Sequence, residues 1–284
     1  MNPLAEIYLV AMRELRRNLR SAKGLVASLL FLLGGTVAIL LYYSFKSKVI
    51  DPAINSMSAA QIHQAKHELF IQLYSDLPTA LHLENAPEVG LFVYNATLFF
   101  LPVLAMLIGY DQLAGELQHR SIRYTAIRAR RPSLVVGTVL GSWLTVTLLS
   151  LFLHLLAGVL AASRGAAPGR APIAYALQFW LAGVVYVSGY SALTSFVSGL
   201  FRTPILALMA SFGSALVLWV ARMIGQTRRF TDVLGWVQYG SPGYWESWML
   251  APEPQRFVLG ALASLGIAAA LVTLSSVALW RRDL

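Results

Sequence analysis

Six long apolar runs, separated by shorter polar stretches, set the pattern of this chain: about 24–45, 89–110, 133–162, 172–200, 204–221 and 257–280. Each is near or above the ~20 residues that cross a ~30 Å hydrocarbon core at ~1.5 Å per residue. The stretch before them has a different period. Leu4, Ile7, Tyr8, Ala11, Leu15 and Leu19 recur at three- and four-residue steps, and Arg13, Arg16, Arg17 and Arg20 fall on the opposite face. That pattern predicts an amphipathic helix over 3–23, its apolar stripe in the membrane interface and its arginines toward head groups or a cytoplasmic partner. A basic flank that simply orients the next span explains the same residues equally well. The expected fold is an all-α polytopic membrane protein, one transmembrane domain over 1–284.

The polar stretches differ from one another. Residues 46–88 set Lys46, Lys48 and Lys66 against Asp51, Glu68, Asp76, Glu84 and Glu88, a balance suited to the outer face. Within them 58–76 reads as helical, with Ile62, Leu69 and Leu73 on one stripe, before Pro78 and Pro87 interrupt. Residues 222–256 hold Trp236, Tyr239, Tyr244, Trp245 and Trp248 around GSPGYW, where glycine and proline forbid a continuous helix. Aromatic residues this dense favour the headgroup layer, so two short helices dipping into the outer interface are expected. Residues 111–132, DQLAGELQHRSIRYTAIRARRP, form a polar elbow between spans two and three with Arg120, Arg123, Arg128, Arg130 and Arg131 against Asp111 and Glu116. Its arginine excess places it on the cytoplasmic side. An even number of spans puts both termini on that side too. Span one is too long an apolar run for a cleaved leader, and YYSFKSK offers no small-residue cleavage site.

Composition sharpens this picture. With 57% hydrophobic and 12% charged residues, the chain falls far below the ~25% charge of soluble domains. The net charge of +9 sits beside apolar spans, where cytoplasmic loops and anionic lipids account for it, so no nucleic acid is expected. There is no cysteine, which excludes disulfides and thiolate metal sites.

Candidate chemistry is sparse. No lysine follows a glycine, so the GK[ST] end of a phosphate-cradling loop is absent and no nucleotide site is expected on this chain. None of the six runs contains Asp, Glu, Lys or Arg, which disfavours a proton- or ion-driven carrier. The same absence disfavours an intramembrane enzyme. His154, at membrane depth in span three, reads as a neutral histidine bonded to a neighbouring helix. His63 and His67, four apart, could share a helix face and hold a metal, with Met57 and His82 nearby in sequence. They form no HExxH and have no evident third ligand, so no metal is assigned. Ser188, Gly189, Ser191, Thr194, Ser195, Ser198 and Gly199 in span four suit close helix approach, or else line a polar path.

The elbow and its flank, GELQHRSIRYTAIRARRPSLVVGTVLG, resemble the segment of ABC-2 type permeases in which an acidic residue precedes a small hydroxyl-bearing turn, a short helix, a Pro-basic corner and the next span. Glu116 takes the acidic place, Arg120, Ser121 and Ile122 the turn, residues 127–132 the corner, and Gly137 a glycine of the next span, followed here by Thr138. The layout is similar to that family over essentially the whole length. The resemblance implies a permease subunit of an ABC exporter in an inner membrane, one that dimerises, is not itself an enzyme, and pairs with two ATP-binding cassette subunits that hold ATP and Mg. The elbow would then be a coupling helix, with Asp111, Glu116, Arg120, Ser121, Ile122, Arg123, Tyr124, Ile127 and Arg128 meeting the ATPase. The alternative from another class is a non-transporting scaffold or sensor in a cell-envelope complex.

Overall fold

Helix starts fall where prolines and capping side chains place them. The computed structural model describes residues 2–74, 76–120, 129–165, 171–227 and 235–281; among these, regular structure is helical and no strand occurs. Asn2 caps the N-terminal helix Pro3–Arg20 by accepting from Leu4 N, with Pro3 in the first turn. Ser58 and Gln61 form a capping box ahead of the first outer helix, Ala59–Leu73, and Asp76 caps the second, Leu77–Glu84. Six helices are long and apolar enough to cross a membrane. They contain Ala22–Phe45, Glu88–Gly109, Arg131–Ser163, Ala171–Leu200, Pro204–Gln226 and Pro254–Trp280, called spans one to six here.

Spans two, three and four form the centre. Each has 56% of its apolar window buried, against 22%, 11% and 17% for spans one, five and six, which therefore turn most of their apolar surface outward. Oil-like surroundings give apolar side chains little reason to leave the surface, so the interior collects small and polar groups that pack closely or bond across helices. Trp143 Nε1 donates to Val184 O at 2.8 Å and Trp180 Nε1 to Thr147 O at 3.1 Å, joining spans three and four; Tyr186 Oη donates to Leu98 O at 3.1 Å, joining four and two. A Cβ at Gly158 would lie 2.8 Å from Ala176 Cβ, so that crossing depends on glycine.

Two helices outrun their apolar runs. Span one continues through a π-helical turn, Lys46–Ile50, into Asp51–Asn55, where Pro52 falls in the first turn and its missing N–H costs little. Span five extends to Gln226 and so includes Arg222, which the run 204–221 left outside.

The aromatic segment carries two short 3₁₀ helices, Gly235–Gly240 and Ser247–Leu250, as its turn residues suggest, but it is more deeply seated than an interfacial loop. Met249 and Leu250 are fully buried, and Pro242 fits the notch at Gly189 of span four, where a Cβ would stand 2.6 Å from its Cγ. Part of the small-residue stripe of span four thus serves this docking. The segment also buries Glu246, whose Oε1 accepts from Tyr94 Oη of span two at 2.8 Å. No apolar-run analysis finds this carboxylate, because it belongs to no span; an acid amid aromatics between two spans was its only sign.

Candidate functional site

The elbow begins as span two ends. The chain turns at residues 110–113 and forms the short elbow helix Ala114–Gln118. Ser198 of span four holds this turn. Its Oγ accepts from Leu113 N at 3.1 Å and Ala114 N at 3.0 Å and donates to Tyr110 O at 2.8 Å. Three backbone groups that a helix start and a helix end would leave short of partners are satisfied by one hydroxyl. Close backbone approach permits it: a Cβ at Gly109 would lie 3.0 Å from Thr194 Cγ2, and one at Gly199 would lie 3.3 Å from Leu113 Cδ1. Ser198→Ala should therefore lower stability by about 1–3 kcal/mol and speed amide exchange at Leu113 and Ala114, measured by thermal shift and hydrogen exchange.

A chain of charges ties the elbow to the N-terminal helix. Glu116 Oε1 accepts from Arg13 Nη2 at 2.9 Å, and Arg13 Nη2 also reaches Glu14 at 3.1 Å. Arg17 approaches Glu14 at 2.8 Å and Asp111 at 4.0 Å. Lys23 Nζ meets Asp111 at 2.5 Å, donates to Ile108 O at 3.1 Å and lies 4.5 Å from the centre of the Tyr110 ring, so it covers the carbonyl end of span two. Arg13, Arg17, Tyr110, Asp111, Glu116 and His119 line an open cleft of about 510 Å³.

The N-terminal helix is itself fixed on span three by a regular register. Glu6, Val10, Glu14 and Asn18, one turn apart, meet Ser133, Gly137, Gly141 and Thr145, also one turn apart, so the helices run parallel. A Cβ at Gly137 would lie 2.5 Å from Val10 Cβ, and one at Gly141 would lie 2.4 Å from Glu14 Cβ and 2.7 Å from Ala11 O. Asn18 Nδ2 donates to Thr145 Oγ1 at 3.4 Å. Glu6 Oε2 accepts from Arg130 N at 3.1 Å, at the start of span three; that amide holds the Glu6 carboxyl below its usual range. Burial of Glu14 pushes its carboxyl up, against the pull of Arg17 and Arg13. The packed face is thus a third stripe, distinct from the exposed Leu4, Tyr8 and Leu19 and from the arginines.

The sequence-predicted residues separate under this geometry. Asp111 and Glu116 join the charge chain. Arg120 leaves the helix in the left-handed region, φ +55°, so the elbow helix stops before it, and Arg13, which pairs with Glu116, lies on another helix. Ser121, Ile122, Arg123, Tyr124, Ile127 and Arg128 lie outside the described residues. Arg131 caps the C-terminal end of span six, donating to Leu279 O at 3.3 Å and Trp280 O at 3.1 Å.

One of the histidines departs from its expected partner. His154 Nδ1 donates to Ser150 O of its own helix at 2.9 Å, rather than to a neighbour, because the carbonyl one turn back is within its reach. His63 and His67 do share a face, and both turn to Glu84, at 3.6 and 3.3 Å. Among the described residues no group of three or more His, Asp or Glu side chains has the geometry to hold a metal.

Comparison with known families decides the identity. Residues 8–231, from the N-terminal helix through span five, match the family described as ABC-2 family transporter protein. The chain belongs to the ABC-2 transporter family. A search of curated proteins finds no match. As an ABC-2 protein it is a multi-pass membrane permease component, of a kind that associates with ABC ATP-binding subunits and is not itself an ATPase. The match covers the whole elbow together with Arg13, Lys23 and Ser198; span six and the Glu246 segment fall beyond it.

Proposed function

We propose that this chain is the permease subunit of an ABC exporter, working as one of two identical protomers with two separate cassette subunits that carry ATP and Mg. Both termini and the elbow face the cytoplasm of a cell whose inner membrane it spans. The elbow, Asp111 to Arg128, receives the ATPase. The observation that carries this reading is Ser198: a single span-four hydroxyl grips both sides of the elbow turn, so displacement of the elbow is passed directly into the central helices. The Arg13–Glu116 pair extends the same displacement to the N-terminal helix and, through its glycine contacts, to span three.

The test is reconstitution. The purified chain alone should hydrolyse no ATP, whereas a complex drawn from the membrane through this chain should contain a cassette subunit and hydrolyse it. Hydrolysis by the chain alone, with contaminants excluded, overturns the reading. So does recovery of the chain in a stable complex that never includes a cassette subunit, the result expected of an envelope scaffold.

A further inference from the structure

A groove of about 200 Å³ opens between spans one and two. Gly34, Gly35 and Ala38 line it on span one, Phe92, Ala96 and Phe100 on span two, and Leu153 of span three closes its back. Its walls are almost wholly apolar, and its flanks face outward: Leu30 is 69% exposed and Phe100 53%. The narrowness limits what can enter. A helix with its side chains is about 10–12 Å across and does not fit, whereas a single hydrocarbon chain does.

Depth and charge narrow the choice further. Phe92 and Phe100 stand four and twelve residues beyond Glu88, the start of span two, so the groove runs from about 6 to 18 Å inward of that helix end. This is the depth of one leaflet's hydrocarbon, half of ~30 Å. Leu153 lies eleven residues, about 16 Å, before Arg164 at the same end of span three. At that rim, Lys46 is paired with Glu88, whose carboxylate also accepts from Tyr42 Oη at 3.2 Å. Arg164 rests its guanidinium 3.9 Å from the centre of the Tyr43 ring, with no carboxylate against it among the described residues. Tyr43 Oη is buried and has no hydrogen-bond partner there. A guanidinium held on an aromatic ring at the rim, with no carboxylate against it among the described residues, is the complement of a headgroup phosphate.

We propose that this groove binds one acyl chain of an anionic bilayer phospholipid, with its phosphate at Arg164. The lipid seals the seam between spans one and two in the leaflet that borders residues 46–88. This site does not depend on the proposed ATPase coupling, and its test involves no nucleotide.

The experiment uses the full chain in nanodiscs of equal phosphatidylglycerol and phosphatidylcholine, released into detergent and weighed by native mass spectrometry. Wild type should keep phosphatidylglycerol over phosphatidylcholine by about fivefold, the worth of one cation near a headgroup. In Gly34→Leu the new side chain enters the groove, and since a Cβ at Gly34 meets nothing within 4 Å, helix packing is retained. Retained lipid should fall at least to the level of nonspecific adducts, at unchanged melting temperature. Arg164→Gln should keep lipid but lose the headgroup preference. Equal retention in wild type and Gly34→Leu overturns the proposal, as does a wild type indifferent to headgroup. A change of oligomeric state in Gly34→Leu also overturns it, by assigning the groove to a second copy.

Discussion

Gly141→Leu should detach the N-terminal helix from span three and lower the melting temperature by about 10 °C. At Gly141 even a Cβ would lie 2.4 Å from Glu14 Cβ and 2.7 Å from Ala11 O, and the latter is backbone that cannot rotate away. Overpacking of this kind costs about 1–3 kcal/mol where side chains can yield and more where they cannot. At roughly 2–4 °C per kcal/mol for chains of about this size, the shift is large. The same substitution at Gly213 or Gly266, where a Cβ would meet nothing within 4 Å, should change the melting temperature by no more than a degree or two and supplies the control. Thermal shift in detergent measures all three. Limited proteolysis gives a second readout, since the undocked helix exposes Arg13, Arg16, Arg17 and Arg20 to trypsin. An equal response at Gly141 and Gly213 would show that the glycine contacts do not hold the helix.

Glu116→Arg should leave insertion and stability nearly unchanged yet reduce coupling to the cassette subunit by about a hundredfold. Within the fold its effect is small. Arg13 is 44% and Glu116 11% exposed, and a pair so open to water contributes at most about 1 kcal/mol. Buried against an ATPase the same reversal places like charges together and strands groups of the partner, at about 2–5 kcal/mol. The charge swap separates these two sites of action. If Glu116 acts only by holding the N-terminal helix, Arg13→Glu combined with Glu116→Arg restores coupling. If it meets the ATPase, the swap does not. Ile122→Asp, also in the elbow, should lose co-purification with the cassette subunit in the same way. Normal coupling in both Glu116→Arg and Ile122→Asp would remove the elbow from the transmission path.

The elbow shows how far sequence reasoning reaches. Its position, sign of charge and acidic residues Asp111 and Glu116 are local properties, readable from a polar stretch between apolar runs. The pairing of Glu116 with Arg13 is not local. The elbow helix stops at Gln118, Arg120 takes a positive φ, and the Glu116 carboxylate meets Arg13, more than a hundred residues earlier. Ser198 was visible only as one of several small residues in span four. Its role depends on which backbone groups face it, and no sequence period carries that.

The spans and the amphipathic character of the first helix were determined by sequence alone, because transfer of a side chain between water and lipid depends on that side chain and its near neighbours. Six apolar runs of sufficient length have few alternatives to six crossing helices when backbone groups must bond internally. Which helices lie at the centre was decided only by the tertiary structure. Span four is the least apolar of the six, but the central spans two and three are as apolar as the outer ones, and lipid is as good a surrounding for leucine as protein is, so hydrophobicity does not rank them. The ranking comes from close approach at glycines and from polar groups that need partners: Gly141 under Glu14, Gly189 under Pro242, Tyr94 on Glu246. These are relations between distant segments, and the chain acquires them only when the helices pack.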